Sequence, residues 1–135
     1  VSDDIAAFIR DRLDEDEARA RSAAQDGGDR WHYSGHSIVS LPEHDTVATG
    51  TQDHMEPHHA HHIAAHDPAR VLRQTAAIRA VVDHAEAVTS AANEPTRDPA
   101  AADEARARAE ELAVVLRHLA AIWSEHPQPR KEWTT

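Results

Sequence analysis

The chain contains no cysteine. That excludes a disulfide framework and any thiolate metal site, so a metal here would have to be held by imidazole and carboxylate. Lysine is nearly absent as well: Lys131 stands alone beside thirteen arginines. The formal net charge is -10. Such a chain lacks the positive surface that phosphate contacts demand, and no nucleic-acid partner is expected. Four glycines in all leave no P-loop and no dinucleotide-binding glycine pattern, and G-x-S-x-G is missing too. No apolar run approaches the ~18 to 20 residues of a membrane span, so no membrane is expected. Asp3 and Asp4 stand where a secretory signal would be positive, which makes the cytoplasm the expected location.

Large apolar side chains are also scarce. There is one Phe, one Tyr, one Met and three Trp, against twenty-seven alanines. A length of 135 residues fits a single domain over 1–135 with a modest core. Such a core implies a marginally stable monomer or one completed by self-association. The expected partner is therefore an unknown protein or a second copy.

What the chain has in abundance is histidine: twelve in all, six of them between His54 and His66. Full protonation would carry the formal charge from -10 to +2. The run admits three readings: a divalent-metal site, a pH-dependent charge switch, or solvated decoration with His62 and His66 hydrogen-bonded at a helix break.

The elements around it are legible. Residues 2–24 predict an amphipathic helix whose face is Ile5, Phe8, Ile9 and Leu13; beyond Leu13 the stripe fades and a solvated extension is expected. The run Asp14 to Glu17, interleaved with Arg19 and Arg21, reads as a charged helix face with i,i+4 pairs. Residues 30–50 hold β-formers broken by Ser34-Gly35 and Pro42-Glu43, and predict short strands near 30–34, 37–41 and 45–49. Residues 57–66 predict a short histidine-rich helix. Asp67-Pro68 and Asp98-Pro99 each place a capping Asp before a first-turn Pro. They predict helices over 68–90 and 98–124. The first turns Val71, Thr75, Ile78, Val82 and Ala85 inward; the second turns in Leu112, Val115, Leu116, Leu119, Ile122 and Trp123. The tail 127–135 reads as irregular, with Trp133 as an anchor. The expected fold is mostly α: three long helices, with a small β-hairpin or meander inserted after the first.

His58, His62 and His66 fall at i,i+4 spacing, which lets imidazoles project side by side. Two imidazoles make a weak site, and zinc demands a third or fourth ligand. The candidate set is His62, His66, His84 and His126, with Asp67 as a further carboxylate. Within His62-Ile63-Ala64-Ala65-His66 the glutamate of an HExxH site is missing. Two function classes follow. One is a non-enzymatic accessory or interaction protein, with or without a histidine-based zinc site. The other is a metal-dependent hydrolase using His62, His66 and a third ligand from His84 or His126.

Several segments together resemble a family of small actinobacterial and actinophage proteins of unknown function. They are Asp3-Asp4-Ile5 to Asp16-Glu17, the central run from His62 through Asp67-Pro68-Ala69-Arg70-Val71-Leu72-Arg73, His84 on the following helix, and His126-Pro127 with Trp133. The resemblance implies an origin but no activity. It also sorts the histidines: His62, His66, His84 and His126 match its positions, whereas His54, His58, His59 and His61 do not.

Overall fold

A computed structural model describes residues 2–126. The segment 127–135, with its expected anchor Trp133, lies outside the described residues. The element order is α1 (Ser2–Ala23), β1 (Arg30–Tyr33), β2 (Ile38–Leu41), β3 (Thr46–Ala48), α2 (Pro57–Ala65), α3 (Pro68–Ala92) and α4 (Pro99–Ala120), with 3-10 turns at Thr51–Asp53 and Ala121–Trp123. The expected architecture is present: a mostly helical chain, three long helices, one short one, and a three-stranded antiparallel sheet inserted after the first helix. Among the described residues no helix is long and apolar enough to cross a membrane.

The chain divides into two compact units. One comprises Val1–Leu13 with Ala77–Thr135, the other Asp14–Ala76. The core of the first collects Ile5, Ala6, Phe8, Ile9 and Leu13 from α1, Ile78, Val82 and Ala85 from α3, and Leu116 and Ala120 from α4. Their spacing of three and four residues puts each set on one helical face. The inward face of α1 is the one the periodicity predicts, and on α3 Thr75, Ile78, Val82 and Ala85 are buried as predicted while Val71 is half-buried.

On α4 the prediction needs correction. Leu112, Leu119 and Trp123 pack against the core, but Val115 and Ile122 are 39% and 53% exposed. The helix's buried residues are Leu116 and the fully buried Ala120, in its last turns. Arg10 of α1 pairs with Asp83 and Glu86 of α3.

In the second unit β1, β2 and β3 form a meander in that order. Trp31 pairs with Ser40 and Tyr33 with Ile38, and the β2–β3 register shifts at Ile38/Val39. Ile38, Met55 and Ala60 are its buried centre, with Trp31, Tyr33, Ala48, Ile63 and Ala64 packed around them. A sheet this small is not stable alone; α2 covers it, laying Ala60, Ile63 and Ala64 on the strands. The α1–β1 connection fits tightly on the β2 end. Gly28 has φ 118°, and a Cβ there would stand 2.3 Å from the Leu41 carbonyl oxygen. In the C-terminal half of α1 the expected solvated extension is interrupted by Ala20, which is buried; Arg21 pairs with Glu17 and Arg19 with Asp16 on its charged side.

Both Asp-Pro pairs act as the capping chemistry requires. Asp98 accepts from the Ala100 N–H at 3.0 Å. Asp67 accepts from the Arg70 N–H at 2.8 Å with one carboxylate oxygen, and from the Trp31 N–H of β1 at 3.2 Å with the other.

Candidate functional site: the histidine helix

Pro57 opens α2 after Glu56, and the Ala60 N–H closes the first turn on the Glu56 carbonyl at 3.0 Å. The apolar residues of this helix are spent on the sheet, so its histidines face outward. His58, His59, His61 and His62 are exposed, and so is His66 just beyond the helix end. Their rings pair off. His58 meets His59 with centroids 4.2 Å apart, His61 meets Tyr33 edge-on at 5.2 Å, and His62 lies 4.5 Å from His66 at an interplanar angle of 40°.

His66 is the C-cap of α2, with φ -108° and ψ 40°, and its N–H reaches the Ile63 carbonyl at 3.0 Å. Its Nδ1 stands 2.8 Å from the His62 carbonyl oxygen. A carbonyl only accepts, so Nδ1 carries the hydrogen and a neutral ring keeps its lone pair on Nε2. The break after α2 is fixed in turn by Asp67 and by Arg70, whose Nη1 donates to the Ala65 carbonyl at 3.3 Å.

The other two predicted ligands lie in the other compact unit. His84 is exposed on α3, one turn from the exposed Val81 and opposite in character to the buried Val82. His126 is half-buried. Its Nδ1 is 3.0 Å from Nη1 of Arg12, and its ring meets Phe8 edge-on at 6.1 Å. A guanidinium only donates, so His126 Nδ1 is the acceptor and the hydrogen of the neutral ring sits on Nε2. That arrangement commits the lone pair of His126 to Arg12.

Among the described residues no three or more His, Cys, Asp or Glu are grouped so as to hold a metal ion. A cleft of about 430 Å³ opens between Asp29, Arg30, Leu41, Pro42 and His44; none of the four predicted ligands lines it.

Arg12 is the residue that sequence reasoning passed over. It is 5% exposed, and its guanidinium carbon lies 5.3 Å from the Phe8 ring centroid. The signal was present: position 12 continues the α1 stripe from Ile5, Phe8 and Ile9, where an apolar residue would ordinarily stand.

The chain matches the family of unknown function DUF6221 over residues 2–135. That match spans nearly its whole length, and the protein belongs to this family. No curated protein and no solved structure matches it.

Proposed function

We propose that the protein is a non-enzymatic accessory or interaction protein whose working surface is the exposed histidine face of α2, with His62 and His66 as a divalent-metal site and zinc as its metal. The observation that supports this is the bond from His66 Nδ1 to the His62 carbonyl. Metal-binding histidines characteristically donate their second ring N–H to a carbonyl or carboxylate, which fixes the ring and directs the free nitrogen outward. The neighbouring ring is at the right range. Two imidazoles on one tetrahedral zinc, with Zn–N bonds of ~2.0–2.1 Å, have centroids roughly 5 Å apart, close to the 4.5 Å between His62 and His66.

His84 and His126 lie in the other compact unit and are not part of this proposal; His126 already accepts from Arg12. A hydrolase would need a third ligand and a carboxylate base, and no observation favours that reading. The protein would act in the cytoplasm of an actinobacterium or of a cell infected by one of its phages, an origin supported by the segment His62 to Arg73.

Isothermal titration with zinc, on protein purified without metal-affinity resin and stripped with chelator, tests the site. Saturable binding is expected, lost in both His62→Ala and His66→Ala. Binding that survives either substitution would refute the assignment.

A further inference from the structure

The rings of His62 and His66 supply two nitrogens, whereas a stable zinc centre takes four ligands. The described residues bring no third ligand to them. His58 is turned to His59, and His61 to Tyr33. The pair is therefore half of a site, exposed on the outside of the protein.

We infer that the missing half is the same pair on a second copy: His62 and His66 of two chains close one tetrahedral zinc around a two-fold axis. This rests on the metal reading above and names the partner that reading leaves open. A two-fold axis through the ion repeats each ligand once, so two nitrogens become four with no further residue required.

Electrostatics favour α2 as the meeting point. The chain carries a net charge of -10, which makes two copies repel at most orientations. Helix α2, Pro-His-His-Ala-His-His-Ile-Ala-Ala, contains no Asp, Glu, Lys or Arg. Among the described α-helices it is the one without formal charge in a strongly acidic protein, so two copies meeting along it bring less like charge together than at α1, α3 or α4, with Glu56 and Asp67 standing at its two ends. Zinc adds two positive charges at the point of closest approach. The pairing depends on the metal, because α2 has already spent Ala60 and Ile63 on its own sheet and presents imidazoles rather than an apolar stripe.

The test is sedimentation velocity, joined to isothermal titration, on the chelator-stripped full chain with zinc chloride added in steps. The expected result is a mass that doubles and saturates at one zinc per two chains, with return to the monomer on adding chelator. His62→Ala and His66→Ala should each abolish the doubling, while the double variant His58→Ala/His59→Ala should keep it. Circular dichroism checks that the variants fold, which is expected because all four side chains are exposed. Zinc bound one per chain with unchanged mass would overturn the dimer and leave the two-histidine site standing. No zinc binding would overturn both. A dimer that persists in chelator, or one lost in the His58/His59 variant, would also overturn the inference.

Discussion

The carboxylate of Asp67 holds the backbone of Trp31 across 36 residues of sequence, while its other oxygen caps α3. One side chain thereby fixes both the start of a helix and the edge of the sheet beside it. Asp98 performs only the capping half of this work at α4. Losing an Asp cap costs about 1 kcal/mol, and leaving a part-buried backbone donor without its acceptor costs a further ~1–3 kcal/mol. Asp67→Ala should therefore destabilise the protein by about 2–4 kcal/mol and Asp98→Ala by about 1 kcal/mol. Urea unfolding of the two variants side by side checks this; equal losses would show that the Trp31 bond contributes nothing.

Arg10 invites a stronger claim than it supports. Its guanidinium pKa is raised, first by the hydrogen bond to Glu86 and then by Asp83. Yet Asp83 is 62% exposed and Glu86 42%, and solvent screens such pairs to ~0–1 kcal/mol. Arg10→Met should shift the urea midpoint little at low salt and not at all in 1 M sodium chloride. A loss above about 2 kcal/mol would mean the pair is better shielded than its exposure implies.

Arg12 and His126 differ in kind, because Arg12 is buried. His126 gives it an acceptor at 3.0 Å. His126→Gln keeps an acceptor within reach and should be tolerated within about 1 kcal/mol, whereas His126→Leu removes it beside a buried cation and should cost ~1–3 kcal/mol. Thermal unfolding separates the two; if the leucine variant is the more stable, the bond is not what keeps His126 in place.

How much of this was legible in the sequence depends on the range of the interaction. The helix starts at Asp67-Pro68 and Asp98-Pro99 were, because capping is local chemistry with a fixed residue order. So were the inward faces of α1 and α3, whose large side chains mark the period. The rotation of α4 was not, since the most deeply buried residue of its inward face is Ala120, and periodicity weighs an alanine below Val115 and Ile122. The i,i+4 spacing of His62 and His66 was visible. Their actual relation was not, because His66 stands past the helix end and its ring is set by a backbone carbonyl. The bond from Trp31 to Asp67 was beyond reach for another reason: nothing in either segment names the other.

Gly28 and Gly35 separate conformational cost from crowding. Both have positive φ, 118° and 98°, but a Cβ at Gly35 meets nothing within 4 Å, while at Gly28 it meets the Leu41 carbonyl oxygen at 2.3 Å. Gly35→Ala should cost only the backbone term, about 1–2 kcal/mol. Gly28→Ala adds displacement of a backbone atom at the end of β2 and should cost at least about 3 kcal/mol. Equal urea midpoints would mean the α1–β1 connection yields freely.

The chemistry of the histidine pair also fixes which metals it accepts. Imidazole suits zinc, cobalt, nickel and copper, whereas magnesium and calcium take oxygen ligands. Neither magnesium nor calcium at millimolar concentration should shift the sedimentation of the stripped protein. Cobalt(II) supplies the sharper measurement, because its visible absorption reports coordination. Two imidazoles completed by water leave it octahedral and weakly absorbing. Four imidazoles make it tetrahedral, with bands of much greater intensity. The intense spectrum should grow in step with the dimer, reach its limit at one cobalt per two chains, and be absent from His62→Ala. A weak octahedral spectrum in a sample that sediments as a dimer would show that the two chains meet somewhere other than the metal, and would separate association from the histidines altogether.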